Sequence, residues 1–168
     1  MTSSNIHSPD QKFGSIPMDK LMQFSGLELL QQMLDGEVPG PTIARTMNFI
    51  LSEVSSGNAV FRGAALADHY NPLGTVHGGW AATIMDSALG CAVQTKLPKG
   101  VGFTTIEFKV NLVRPIFDHT GEVICEGNVI HMGRTIATCD ATLKTKDGKL
   151  LAHGTATCAI FPIKHPGQ

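Results

Sequence analysis

Residues 71–86, NPLGTVHGGWAATIMD, begin with turn-forming residues and pass into an apolar run that contains one acid, Asp86. From Gly79 to Val93, Asp86 is the only side chain that we expect to be ionised at neutral pH. The run predicts a helix of about four turns, from Gly78 to about Thr95. Because a helix that is apolar on all sides is buried on most of them, we expect the rest of the chain to wrap around this one.

The segments on either side of this helix are typical of strands. Two β-prone runs, residues 42–54 and 58–66, flank a predicted hairpin turn at residues 55–58. Four more runs follow the helix, at residues 103–115, 121–133, 134–146 and 149–161, and we expect a four-stranded meander from them. The predicted fold class is α+β, a curved antiparallel sheet wrapped around a central apolar helix.

The N-terminal part of the chain predicts two further regions. Residues 1–14 are polar and without pattern, and we expect a loose tail there. Residues 15–40 predict an extra N-terminal helix and a linker, because apolar residues recur at helical spacing from Met18 to Met33 before the glycine and prolines at residues 36–41. The main domain is expected over residues 41–163.

Composition excludes several classes of function. With 168 residues, 42% apolar and 16% charged, the chain is expected to be one globular domain. Thirteen basic and 14 acidic residues form no basic tract, which argues against nucleic acid as a partner. No apolar run reaches the roughly 18 residues that span a bilayer, so no membrane association is expected.

The cysteines and the N-terminus predict a cellular location. The four cysteines lack the spacing of zinc sites, so we expect no metal and four buried free thiols in a reducing compartment. The N-terminus lacks a basic region followed by an apolar one, which argues against secretion. The expected location is the cytoplasm.

Asp86 can be interpreted in two ways. It could be a structural acid that is hydrogen-bonded to a strand, or a reactive group whose donors lie elsewhere. Gly78 and Gly79 at the helix start leave amides that favour negative charge, such as the oxyanion of an attacked carbonyl. Gly79 and Asp86 are about 10.5 Å apart along one helix, too far to act on one atom. We therefore predict an obligate dimer with two shared sites, in which Asp86 of one chain meets Gly79 of the other.

Three segments, residues 71–86, TTIEFKVNLVRP at 104–115 and GRTIATCDATLKTKDGKLLAHGTA at 133–156, resemble the PaaI-like hotdog thioesterases, a family related to thioesterase superfamily member 2. The resemblance covers roughly residues 40–162. It implies the hotdog fold, hydrolysis of an acyl- or aryl-CoA thioester to free acid and CoA, and a homodimer that pairs into a tetramer. Coenzyme A is then part of the substrate, and no cofactor is expected.

The resemblance also implies catalytic roles. Asp86 matches the acid that acts as general base on water or as nucleophile. Gly78 matches the residue whose amide polarises the thioester carbonyl, and Asn71 the loop amide that positions the thioester or the lytic water. His77 matches a histidine that orients the loop or contacts the thiol. Thr105 matches a strand hydroxyl that assists water.

Further residues are predicted to contact substrate. Gly79 permits close approach of the ligand, Thr104 would replace Thr105 if the strand register slipped by one, and Trp80 is expected to help close the acyl pocket. Arg134, in a turn between strands, is the first candidate for the CoA phosphates, followed by Lys96, Lys99 and Arg114.

Two alternatives of other classes remain open. The first is an enoyl-thioester hydratase or dehydratase on the same fold, which pairs an acid with a histidine. Asp68 and His69 are present, although their spacing to His77 differs from the pattern expected for a hydratase. The second is a non-catalytic acyl-CoA-binding protein, which would keep the glycine-rich helix start and lose the acid. The presence of Asp86 argues against it.

Overall fold

The computed structural model describes residues 4–163. Each helix and strand is labelled in chain order: α1 (Met18–Gln23), α2 (Gly26–Leu34), α3 (Thr42–Thr46), β1 (Phe49–Ser55), β2 (Asn58–Ala64), α4 (Gly78–Gln94), β3 (Val101–Leu112), β4 (Glu122–Met132), β5 (Ile136–Thr145) and β6 (Leu150–Pro162). Single turns of 3₁₀ helix lie at Ala67–His69 and Asp118–Thr120.

The six strands form one antiparallel sheet in the order β1-β2-β4-β5-β6-β3. The predicted β1–β2 hairpin is confirmed. The predicted four-stranded meander is wrong in one connection, since β3 pairs with β6 and not with β4. The linker between β3 and β4, residues 113–121, is longer than a hairpin loop, and it carries the chain from the β3 edge past β6 and β5 to a position beside β2.

Helix α4 lies against the sheet and contacts β2 to β6. Glycines let the two layers approach, because a Cβ atom at Gly127 would collide with the carbonyl oxygen of Ala88. The helix supplies nine buried residues: Trp80, Ala81, Ile84, Met85, Ala88, Leu89, Gly90, Ala92 and Val93. The predicted hotdog arrangement, a curved sheet around a central helix, is confirmed.

The N-terminal region contains two helices where one was predicted. The break falls at Ser25, whose hydroxyl accepts the Glu28 amide while the Glu28 carboxylate accepts the Ser25 amide. This capping box starts a new helix. Residues 42–46 form α3, although the sequence predicts a strand from Thr42. Among the described residues, no helix is long and apolar enough to cross a membrane.

The predicted loose tail, residues 1–14, begins with residues 1–3, which lie outside the described residues. From residue 4 onward the tail contacts the domain. The amide of Ile6 donates to Asn48 Oδ1 at 3.0 Å, and the amide of Gly14 donates to the Gly40 carbonyl at 2.9 Å. Asn48 is buried, and its side-chain amide also donates to the Ala64 carbonyl. The N-terminal segment therefore supplies a hydrogen-bond partner to a buried polar side chain, a contact that the composition of residues 1–14 does not predict.

Candidate active site

The start of α4 presents one free amide. His77 is the N-cap, and its Nδ1 accepts the Gly79 amide at 2.9 Å. The Trp80 amide donates to the His77 carbonyl. Among residues 4–163, no hydrogen bond accepts the Gly78 amide. Both glycines were predicted to offer amide donors. In the structure the Gly78 amide is available for an oxyanion, whereas the Gly79 amide is already bonded to His77.

The loop before α4 is held by Asn71. Its Oδ1 accepts the amides of Leu73 at 2.9 Å and Thr75 at 3.3 Å, and its Nδ2 donates to the Thr75 hydroxyl at 2.8 Å. Gly74, with φ of 83°, provides the left-handed turn that this loop requires. Asn71, His77 and Gly78 line one small cavity together with residues 112–116. These three residues are called the amide half below.

Asp86 lies eight residues beyond Gly78 on α4, more than two helical turns away, and faces β3. The Thr105 hydroxyl donates to Asp86 Oδ1 at 3.1 Å, and no donor among the described residues reaches Oδ2. The bulge between Thr105 and Glu107 in the β3–β6 pairing lies next to this contact. Thr104, the alternative to Thr105, is exposed and makes no such bond. Asp86 and Thr105 are called the acid half below.

A cavity of about 570 Å³ extends from the acid half, within the size range of small-molecule sites. The wall on α4 is formed by Asp86, Ser87, Gly90, Cys91 and Gln94. Asp86, Gly90 and Gln94 follow one another at intervals of four residues and share one helical face. Most of the lining is apolar, and it comes from α1, α2, α4, β3 and the end of β6: Ile16, Leu21, Phe24, Leu29, Leu30, Met33, Leu97, Val101, Phe103, Phe161 and Ile163 are among the lining residues.

The two halves are too far apart to act within one chain. Gly78 and Asp86 are eight residues apart on a continuous helix, which is about 12 Å along its axis. A base and an oxyanion donor must each lie about 3 Å from the reacting atoms. The structure brings Asn71, His77 and Gly78 together, and separately Asp86 and Thr105, but it does not bring the two groups together.

Trp80 occupies the core, not a pocket. It is buried, its indole N–H donates to the Met47 carbonyl at 2.7 Å, and it lines neither cavity. His69 stacks on it at 6.1 Å. The Nδ1 of His69 accepts the Leu66 amide and its Nε2 contacts the Thr46 carbonyl. Since both ring nitrogens are engaged, His69 is not available as the acid or base of a hydratase.

The predicted cations are distributed unevenly. Arg134 is exposed in the β4–β5 turn and lines neither cavity. Arg114 lines the small cavity, and its Nη1 donates to the Leu150 carbonyl at 2.6 Å. Lys96 and Lys99 are exposed just after α4. No cluster of three or more metal-binding side chains occurs between residues 4 and 163.

All four cysteines are free thiols. Cys91 lines the large cavity. Burial and, to a lesser extent, the nearby Asp86 carboxylate raise the pKa of Cys91 to about 12. The thiol is therefore neutral at physiological pH and contributes a small apolar group to the wall, not a nucleophile.

Sequence reasoning missed the role of Gly90, Cys91 and Gln94 as a pocket wall. Gly90 and Gln94 stand four and eight residues after Asp86, so their shared helical face was available from the spacing. The N-terminal residues that line the cavity could not be predicted from spacing, because they lie far from α4 in the sequence and meet it only in the folded chain.

Comparisons with known proteins identify the family. The Thioesterase superfamily profile matches residues 73–152, which include His77, Gly78, Asp86 and Thr105 but not Asn71. A Caenorhabditis elegans protein named as an esterase is 33% identical over 117 residues, 68% of this chain and 67% of that protein. Mouse acyl-coenzyme A thioesterase 13 is 30% identical over 90 residues, 53% of this chain and 63% of that protein.

A solved structure agrees. The phenylacetic acid degradation-related protein of Ralstonia eutropha is 28% identical, with a TM-score of 0.70 over 77% of this chain and 97% of that one. The family profile, the relatives and the architecture agree with the motif in residues 71–86. The chain therefore belongs to the Thioesterase superfamily.

Proposed function

We propose that this protein is an acyl-CoA thioesterase that hydrolyses an acyl- or aryl-CoA thioester to free acid and CoA. Membership of the Thioesterase superfamily makes it a thioester hydrolase. The observation that carries the finer proposal is the carboxylate of Asp86, bonded to Thr105 and exposed at a large apolar cavity. Mouse acyl-coenzyme A thioesterase 13 acts on CoA thioesters by name, which supports CoA as the thiol.

The proposed site is shared between two chains. Strand β3 is an edge strand that exposes Ile106, Phe108 and Leu112, 56%, 38% and 58% accessible. A long apolar edge of this kind invites pairing. It also joins the two halves, since Thr105 belongs to the acid half and Leu112 packs over Gly78. Antiparallel pairing of two β3 strands about a twofold axis near Phe108 places Thr105 of one chain opposite Leu112 of the other.

The chemistry requires an oxyanion donor and a base, with water as the second reactant. The Gly78 amide of one chain donates to the thioester oxygen and stabilises the oxyanion. Asp86 of the other chain takes a proton from water, which attacks the carbonyl carbon, and the carbon–sulfur bond breaks to release CoA. Asp86 then returns the proton to the thiolate. In the alternative, Asp86 attacks directly, and water hydrolyses the resulting anhydride.

The remaining roles follow from position. Asn71 and His77 hold the loop and the helix start that aim the Gly78 amide. Arg114, at the small cavity beside that amide, is better placed for the CoA phosphates than Arg134. The proposal includes no metal and no cofactor beyond the CoA of the substrate, a cytoplasmic location for the free thiols, and pairing of dimers into a tetramer.

Subunit mixing tests the proposal. Asp86→Asn and Gly78→Pro homodimers are each expected to be nearly inactive in free-thiol release from CoA thioesters. A mixed dimer contains one intact site, so verified heterodimers should recover about half of the wild-type activity. The matched control mixes Asp86→Asn with a chain that carries both substitutions, which leaves no intact site.

Two results would contradict the proposal. If the wild-type protein released no thiol from any CoA thioester in an aliphatic and aryl panel, the function would be wrong. If verified Asp86→Asn/Gly78→Pro heterodimers were as inactive as the control, the site would not be shared.

A further inference from the structure

The large cavity runs along α4 away from the acid half. Three pairs of residues mark its course. Thr105 bonds Asp86 at one end, Phe103 lies over Gly90 in the middle, where a Cβ atom would approach the Phe103 ring at 2.9 Å, and Val101 lines the cavity together with Gln94 beyond it. From Asp86 to Gln94 is eight residues, or about 12 Å along the helix axis.

The N-terminal helices close the far end of this cavity. The Gly26 amide, at the start of α2, donates to the Leu97 carbonyl at 3.0 Å, and the Gly100 amide donates to the Leu21 carbonyl at 3.1 Å. A Cβ atom at Gly26 would collide with the carbonyl of Gln94, so backbone meets backbone there. These contacts attach α1 and α2 to the turn that follows α4, opposite the end at which Asp86 lies.

Helix α1 faces the cavity with apolar side chains and is otherwise weakly packed. It has no buried residue, yet Leu21 and Phe24, at its end, line the cavity. Among residues 4–163, Asp86 is the only charged residue that lines the cavity. A ligand that reaches beyond Asp86 therefore meets hydrocarbon and sulfur on almost every side, which favours an unbranched, uncharged chain.

We propose that α1 and α2 form the end wall of an acyl pocket and set the length of the acyl group that the enzyme accepts. This rests on the proposed function. With a carbon–carbon bond of ~1.5 Å, an extended chain advances about 1.3 Å per carbon, so ~12 Å holds about nine carbons. The preferred substrate is a straight-chain acyl-CoA of medium length, whose last carbons contact Leu21 and Phe24.

A chain-length series tests this with three variants. For wild type, kcat/KM should rise by up to about fourfold per added methylene, reach a maximum near octanoyl- or decanoyl-CoA, and fall for palmitoyl-CoA. Leu21→Trp fills the end of the pocket and should lower the ratio of decanoyl- to butanoyl-CoA hydrolysis by up to about 15-fold, the effect of two methylenes. Gln23→Trp adds the same bulk on the exposed side of α1, and its ratio should equal that of wild type.

A substitution that enlarges the pocket provides a second test, which can be used even if Leu21→Trp does not fold. Phe24→Ala enlarges the pocket and should move the maximum toward longer chains. The acyl-length inference would be overturned if the maximum stayed in place in every variant that folds. It would also be overturned by a rate for palmitoyl-CoA equal to that for decanoyl-CoA, or by a preference for phenylacetyl-CoA over every straight chain. In each of these cases CoA thioesters are hydrolysed and the proposed function stands, whereas absence of all hydrolysis would contradict the proposed function itself.

Discussion

Gly78 and Asp86 lie on the same helix, but the amide half and the acid half to which they belong are built in opposite ways. Asp86 lines the large cavity and, among residues 4–163, its carboxylate accepts one hydrogen bond, from the Thr105 hydroxyl. Gly78 contributes a backbone amide, whose position is fixed by the His77 cap and by the bonds that Asn71 makes in the preceding loop. The acid half should therefore respond strongly to side-chain changes, and the amide half most strongly to changes that remove the backbone donor.

The largest expected effect is on the acid half. Asp86→Asn keeps the shape of the side chain and removes its basicity, so kcat for CoA thioesters should fall by about 10³-fold, within the usual range for a general base. Free-thiol release measures this rate, and thermal unfolding checks that the variant is folded. A variant with wild-type kcat would make Asp86 a structural acid.

The next effect breaks the amide half at its backbone. Proline is compatible with the first helical position, and His77, with ψ of 136°, already has the extended conformation that precedes proline. Gly78→Pro removes the donor, and kcat should fall by about 10²-fold or more. Gly78→Ala retains the amide and meets Leu112 in the same way. Equal losses in both variants would mean that crowding, and not the amide, is responsible.

A smaller effect is expected from the hydroxyl that holds Asp86, since Asp86 accepts one hydrogen bond from the described residues whereas several bonds hold the loop before Gly78. Thr105→Val removes the one hydroxyl bonded to Asp86 and preserves the shape of the side chain. Since a hydrogen bond to a charged group contributes about 1.5–3 kcal/mol, kcat should fall by at least about tenfold, and Thr105→Ser should retain most of it. If Val and Ser variants had the same kcat, the Thr105 hydroxyl would have no part in positioning Asp86.

The smallest effect is expected at His77, and it distinguishes a role as the N-cap of α4 from a role in catalysis. His77→Ala removes the acceptor of the Gly79 amide and should lower the free energy of unfolding by about 1 kcal/mol, as cap removal usually does. Urea denaturation measures this loss, and His77→Asn, a good N-cap, should restore it. Activity should fall only several-fold. A loss of kcat as large as that of Asp86→Asn, with unchanged stability, would place His77 in the chemistry instead.

The long helix and its acid could be predicted because both depend on local pattern. A mostly apolar helix of 17 residues with one carboxylate requires burial on most sides. The glycines at its start leave backbone amides uncovered by side chains, which indicates that an amide there contacts a ligand. The capping box at Ser25 and Glu28 was also readable from residue types, but the apolar spacing on both sides of it predicted one helix where there are two.

Other features depend on contacts between distant parts of the chain. The pairing of β3 with β6, the docking of residues 4–14, and the core position of Trp80 all join segments that no periodicity relates. Thr105 and Thr104 have opposite parity, yet only the register of β3 against α4 decides that Thr105 faces Asp86.

The sequence by itself determined which residues are chemically unusual in their surroundings: a carboxylate in an apolar helix, and glycines where a helix begins. Local spacing suffices for that, because a helix places its residues at known separations. The tertiary structure decided what those residues face. It attached α1 and α2 to the end of α4, opened a cavity between them beside Asp86, and left β3 as an exposed apolar edge. Those outcomes depend on which surfaces meet, and that is settled by packing of the whole chain.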